Sequence, residues 1–243
     1  MKKTIIASLF VLLGFTACDF LNEVPQDRLS PESYFKTETD LQLFTNPLYD
    51  NLLDKDAYEH QSDHCIHLNL SSELHGGTFR TVPATGGGWS WGNLRRINTL
   101  LGNSFNCENE SVRAHYDAVA KFFRAMFYFE KVKRFGDVPW IDVELGSESE
   151  QLYAPRDSRE LVMQNMIKDI DYAIANLPEK VSTFRVNKWA ALALKAEFCL
   201  YEGTFRKYHA GHVTLSTLPA DATPYSEYLD MAAAAAKEVM DCG

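Results

Sequence analysis

Several stretches of the 243-residue chain carry residue types that could do chemistry. "SDHCIHLN" at 62–69 gathers Asp63, His64, Cys65 and His67, the donor types that hold zinc. No partner cluster of suitable spacing accompanies it, so the stretch reads as a polar loop. Glu148 and Glu150 could pair like glycosidase carboxylates, but they sit in "ELGSESE", which reads as a solvated acidic loop. His75-Gly76-Gly77 hints at an oxyanion loop, yet no G-x-S-x-G elbow goes with it. "TGGGW" lacks the Gly-Lys-Ser/Thr of a phosphate loop. The sequence offers no constellation for catalysis, no metal site and no cofactor site. It does offer a binding surface. Trp89 and Trp91 flank a glycine-rich stretch beside Asn93, which puts large ring faces next to a side-chain amide. The competing reading for Trp91 is that it caps the following helix and packs inside. Trp140, after Gly-Asp-Val-Pro, reads as packing its loop onto the scaffold.

The elements that must position these residues are helical. Asp40 opens a pattern with Leu41, Phe44, Leu48 and Leu52 at helical spacing, with a kink expected at Pro47. Ser30-Pro31 reads as an earlier helix start. "ELHGGTFRTVPATGGGWSW" has five glycines and a proline in nineteen residues and reads as long surface loop. From Trp91, Leu94, Ile97, Leu100 and Leu101 form one stripe that stops at Gly102. A helix from about Ser111 to Arg134 has an apolar sector too wide for a surface helix, so neighbours should flank it on several sides. Gly136 should end it, and Pro139 should prevent resumption. Next comes a helix opened by a capping-box-like Asp157/Glu160 pair, with Leu161, Met166, Ile170 and Ile174 as its core stripe. "RVNKWAALALKAEFCLYEGTF" follows, with Ala190, Ala193, Leu194 and Tyr201 on one face. Gly203 should be its C-cap, and Ala193 and Ala196 should allow close helix approach. A polar loop at 207–224 leads to a last amphipathic helix. The expected fold is all-α: antiparallel helix pairs with long irregular loops, in a loose likeness to tetratricopeptide (TPR) units.

The start of the chain reads as an address. Lys2 and Lys3 precede an apolar run at 4–17, roughly fourteen residues, too short for the ~20 that cross a bilayer. The run ends in Phe15-Thr16-Ala17-Cys18, which looks like a bacterial lipobox with Phe15 where Leu is usual. Residues 1–17 then form a lipoprotein signal peptide, Cys18 is the lipidation site, and 18–30 is a polar tether. Lys+Arg number 24 and Asp+Glu 33, for a net charge of −9. Without Lys2 and Lys3 the balance is 22 basic to 33 acidic residues. The basic residues are scattered, so the phosphate-backbone surface of a nucleic-acid binder is excluded. A hydrophobic fraction of 46% excludes bulk disorder. Cys65, Cys107, Cys199 and Cys242 show no C-x-x-C spacing and leave three disulfide pairings open, with Cys199 read as a small core residue.

Five stretches in order, behind the lipobox, carry a specific likeness. They are "SYFKTETDL" (33–41), "WGNLRRIN" (91–98), "FFRAMFYFEKVKRFGDVPW" (122–140), "PRDSRELVMQNMIKDIDYAIANLP" (155–178) and "RVNKWAALALKAEFCLYEGTFRKYH" (185–209). Together they resemble the SusD/RagB family of outer-membrane lipoproteins from Bacteroidetes. The resemblance implies a TPR-like α/α superhelix over 31–243, read as the N-terminal half of a longer protein. It implies a lipid-anchored, surface-exposed, non-enzymatic protein of the outer membrane. Such a protein captures oligosaccharides or other nutrients and delivers them to a SusC-like TonB-dependent transporter. Sugar C–H faces stack on aromatic rings, which points to Trp89, Trp91 and Asn93 as ligand-binding residues. The runner-up functions are a TPR-type scaffold for peptides or proteins and, behind it, a lipoprotein glycosidase.

Overall fold

A computed structural model describes residues 34–52, 86–182, 184–212 and 215–242. The chain divides into two compact units, 1–34 and 35–243. Among the described residues the second unit holds six α-helices and no strand. They are α1 (Glu38–Leu52), α2 (Gly92–Asn103), α3 (Glu110–Phe135), α4 (Arg159–Asn176), α5 (Lys188–Tyr208) and α6 (Tyr225–Met240). The Cys18 lipobox, the Ser30-Pro31 start, the Asp63–His67 cluster and His75-Gly76-Gly77 lie outside the described residues.

Local chemistry sets most of the boundaries. Thr37 Oγ1 accepts from the Asp40 amide at 3.2 Å while Asp40 Oδ2 accepts from the Thr37 amide at 2.9 Å, a reciprocal box that opens α1. These bonds, led by the Thr37 side chain, hold the Asp40 carboxyl below its usual range. Asn109 caps α3 by accepting from the amides of Ser111 and Val112, and Gly136, at φ 71°, closes it. The Asn187 side chain caps α5 at Ala190 N.

From α2 onward consecutive helices run antiparallel, as the direction of their contacts shows. Between α2 and α3, Arg124 reaches Asn98 while Lys131 lies over Trp91. Between α3 and α4, Arg124 pairs with Asp169 while Arg159 reaches back to the Val132 carbonyl. Asp171–Lys195 and Arg159–Glu202 repeat the pattern between α4 and α5, as do Lys188–Glu238 and Arg206–Tyr228 between α5 and α6. In each pairing the sequence number rises on one helix as it falls on the other. The wide apolar sector of α3 is buried from Tyr116 to Val132 because α1, α2 and α4 all pack on it. Phe123, Tyr128, Met163, Met166 and Phe198 lie at the centre of the core.

A buried charged network ties α4, α5 and the segment before α6. Arg159 Nη2 meets Glu202 Oε2 at 2.7 Å, Arg206 Nε meets Glu202 Oε1 at 2.7 Å, and Arg206 Nη1 meets Glu160 Oε2 at 2.6 Å. Thr223 donates from its hydroxyl to Glu160 at 2.7 Å. Burial pulls the Glu160 carboxyl upward, but the Thr223 bonds and Arg206 outweigh it and leave the group below its usual range. Cys199 is a free core thiol pushed up to about 12 by burial.

Four local expectations are corrected. Gly203 lies inside α5, not at its end; a Cβ there would sit 2.7 Å from Leu229 Cδ2 and 3.0 Å from the Tyr225 carbonyl, so the glycine permits close α5–α6 contact. Ala193 is exposed and takes no part in that approach. Leu161 is 42% exposed, whereas Val162, Met163, Met166 and Ile170 form the stripe. Five residues separate Leu161 from Met166, about 500° of helix, which turns Leu161 away from the face that a spacing of three or four preserves. The capping box at 157/160 does not form: Ser158 caps α4 at Leu161 N, Asp157 accepts from Trp140 N, and Glu160 turns into the charged network.

Candidate functional site

A cavity of about 590 Å³ opens between the start of α2, the turn before it, and two stretches of the long α3–α4 connection. Leu94, Arg95 and Asn98 follow Trp91 at three, four and seven residues, so one face of α2 builds one wall. Trp89 stands at the rim, 39% exposed. Pro139, Ile141, Val143 and Leu152 supply apolar wall opposite, and Gln151 and Arg156 add polar groups.

The glycine-rich turn positions Trp89. Gly86, Gly87 and Gly88 have φ of 81°, 61° and 84°, a left-handed run that side chains disfavour. The last two carbonyls are caught from α3: Arg134 Nε donates to Gly87 O at 2.6 Å and Lys131 Nζ donates to Gly88 O. Burial, with Arg134 alongside, holds the Lys131 ammonium below its usual range. Thus the carbonyls of Gly87 and Gly88 are the acceptors of a clamp that aims the indole.

The opposite wall is pinned as firmly. Asn98, 1% exposed, donates to the carbonyls of Ile141 and Val143 at 3.0 Å each, and Arg124 donates to its Oδ1 at 3.3 Å. Tyr128 donates its hydroxyl to Pro139 O at 3.1 Å and accepts from Ile141 N at 2.7 Å. Burial raises the Tyr128 pKa, so the hydroxyl keeps its proton. Trp140 stacks on Tyr128 with ring centroids 4.3 Å apart, as expected of a residue that packs its loop on the scaffold.

Trp89 and Trp91 meet edge to face with centroids 5.0 Å apart. Trp91 is half-buried and makes no side-chain cap bond. It occupies the N-cap position of α2 and leans on Phe127 and Tyr128, and it also lines the cavity. Asn93 is half-buried on α2 and is not among the cavity-lining residues. Glu148 and Glu150 are exposed. Sequence reasoning missed Arg95, Gln151 and Arg156. The i, i+4 spacing of Trp91 and Arg95 could have revealed the first. The other two reach the site by tertiary folding of an irregular segment. Among the described residues no group of three or more His, Cys, Asp or Glu could hold a metal ion.

A family model described as SusD-like, starch-binding and associating with the outer membrane matches residues 93–200. The chain is 28% identical over 226 residues to SusD-like protein P2 of Formosa agariphila, covering 85% of this chain and 45% of that protein. It is 23% identical over 228 residues to SusD-like protein P25 of the same organism, covering 82% of this chain and 43% of that protein. The crystal structure of a SusD-like protein from Bacteroides fragilis superposes with a TM-score of 0.63 over 91% of this chain and 41% of that one, at 22% identity. Over most of its length this chain is similar to SusD-like proteins. Its helices form the TPR-like fold of the SusD-like neighbour. The chain spans less than half the length of the curated relatives it matches. No helix among the described residues is long and apolar enough to cross a membrane.

Proposed function

We propose that the protein is an outer-membrane lipoprotein, anchored through Cys18 behind a signal peptide at 1–17, that captures glycans at the cell surface. It hands them to a SusC-like TonB-dependent transporter. The observation that carries this reading is the match of residues 93–200 to a family described as starch-binding and outer-membrane associated. The cavity supports it with features that suit a sugar: two indoles, an apolar wall, and Arg95, Gln151 and Arg156 as hydrogen-bonding groups. Trp89 and Trp91 are the residues assigned to stacking. Asn93 would touch only a ligand that extends beyond the cavity. The chemistry is binding, with no bond made or broken.

Affinity electrophoresis of the Cys18→Ala chain through gels that contain a polysaccharide panel tests capture. Retardation by one glycan class is expected. Affinity purification of the lipidated protein from native outer membranes should bring down a TonB-dependent transporter. Retention of peptides in place of any glycan would favour the peptide-scaffold alternative.

A further inference from the structure

The cavity lining contains two guanidinium groups, Arg95 and Arg156, and no carboxylate. In a chain of net charge −9 this runs against the overall balance. The two cations are not equivalent. Arg95 is exposed and already answered by Glu144 at 3.3 Å. Arg156 is exposed as well, lies over the Trp89 ring at 5.0 Å, and forms no ion pair among the described residues. Its nearest acidic neighbour in sequence, Asp157, is engaged with the Trp140 amide at 2.7 Å. A guanidinium with no ion pair among the described residues thus sits against an aromatic platform, at the mouth of a largely apolar cavity whose other cation, Arg95, is already paired.

We propose that this site selects acidic glycans, those carrying a carboxylate or sulfate on the sugar ring, with Arg156 as the group that reads the charge. The inference rests on the glycan-binding reading above and narrows it. A sugar whose ring lies along Trp89 brings a ring substituent next to the guanidinium. A carboxylate or sulfate there accepts two parallel N–H bonds, which a hydroxyl cannot match in charge. Arg156 need not leave Trp89, because a guanidinium can stack on a ring by its face while donating at its edge. A neutral glycan would gain stacking but leave this donor set to water. The selectivity is electrostatic and partly exposed, so it should weaken as salt rises.

The test uses the Cys18→Ala chain and matched pairs that differ only in charge. The probes are a galacturonate oligomer against its methyl ester, and dextran sulfate against dextran, titrated calorimetrically at low and high salt. The acidic member of at least one pair should bind at least tenfold more tightly than its neutral partner. Arg156→Ala should collapse that ratio at least fivefold, and Arg156→Lys should recover part of it. Trp89→Ala should weaken both members and keep the ratio. Equal binding of acidic and neutral members, or an unchanged ratio in Arg156→Ala, would overturn the selectivity and leave glycan capture standing. Failure of every member of every pair, with no glycan retarding the protein in gels, would remove both.

Discussion

At the scale of single residues, the functional assignments turn on which polar groups are already spent. Asn98 faces the cavity, but two carbonyls and Arg124 consume its amide, so it is a strut. Arg156 lacks such commitments among the described residues and is therefore read as a ligand contact. The same accounting governs pH. The Glu160 carboxyl is held below its ordinary value of 4.5 because bonds from Thr223 and Arg206 outweigh burial. A lowered carboxylate pKa stabilises the fold above 4.5 and loses that contribution as pH falls through the lower folded value. Glu160→Gln should therefore be less stable than the parent at pH 7. The gap should narrow on acidification below about 4.5. Urea unfolding at a series of pH values checks this. A gap independent of pH would show that the charge on Glu160 does not matter.

At the scale of elements, two contacts decide whether the scaffold can hold the site. The first is Gly203. Alanine is the better helix former by about 1 kcal/mol, but its Cβ would fall 2.7 Å from Leu229 and 3.0 Å from the Tyr225 backbone. Leu229 can shift, whereas the carbonyl is backbone, so α6 must move. Overpacking of this kind costs about 1–3 kcal/mol. The net expectation for Gly203→Ala is a loss of up to about 2 kcal/mol, from the difference of those figures, measurable as a lower thermal midpoint. The second is the hold of α2 on the α3–α4 connection. Asn98→Ala would remove its two bonds to the carbonyls of Ile141 and Val143, and each such hydrogen bond contributes about 0.5–1.5 kcal/mol. Hydrogen exchange at the amides of residues 140–143 should accelerate while that of α5 stays unchanged. Uniform acceleration across all helices would mean that Asn98 acts on global stability and not on this wall.

At the scale of the whole molecule, the helical architecture was legible because its signals are local. Gly136 and the α3 apolar sector each lie within one helix and its flank, and the structure has them as expected. Leu161 was a local error of helical spacing, whereas the Gly203 and Glu160 misreadings depended on what a distant segment does. Gly203 looks like a stop until Leu229 is known to lie against it. Glu160 looks like half a capping box until Arg206 and Thr223 compete for it. The site was half legible for the same reason. Trp89 and Trp91 stand close together in sequence on a glycine-marked turn, whereas Arg156 arrives from 65 positions away along an irregular connection. The likeness to SusD-like proteins motivates the proposed function class, and the cavity is the place proposed for it in this chain.

The central claim is that glycan capture runs through the Trp89 face of that cavity. The most direct measurement is a calorimetric titration of the glycan that retards the protein, run on the Cys18→Ala chain with and without Trp89→Ala. Loss of one stacking ring is expected to weaken binding about tenfold, roughly 1.4 kcal/mol. Equal affinities in the two proteins would contradict the account and place the glycan elsewhere.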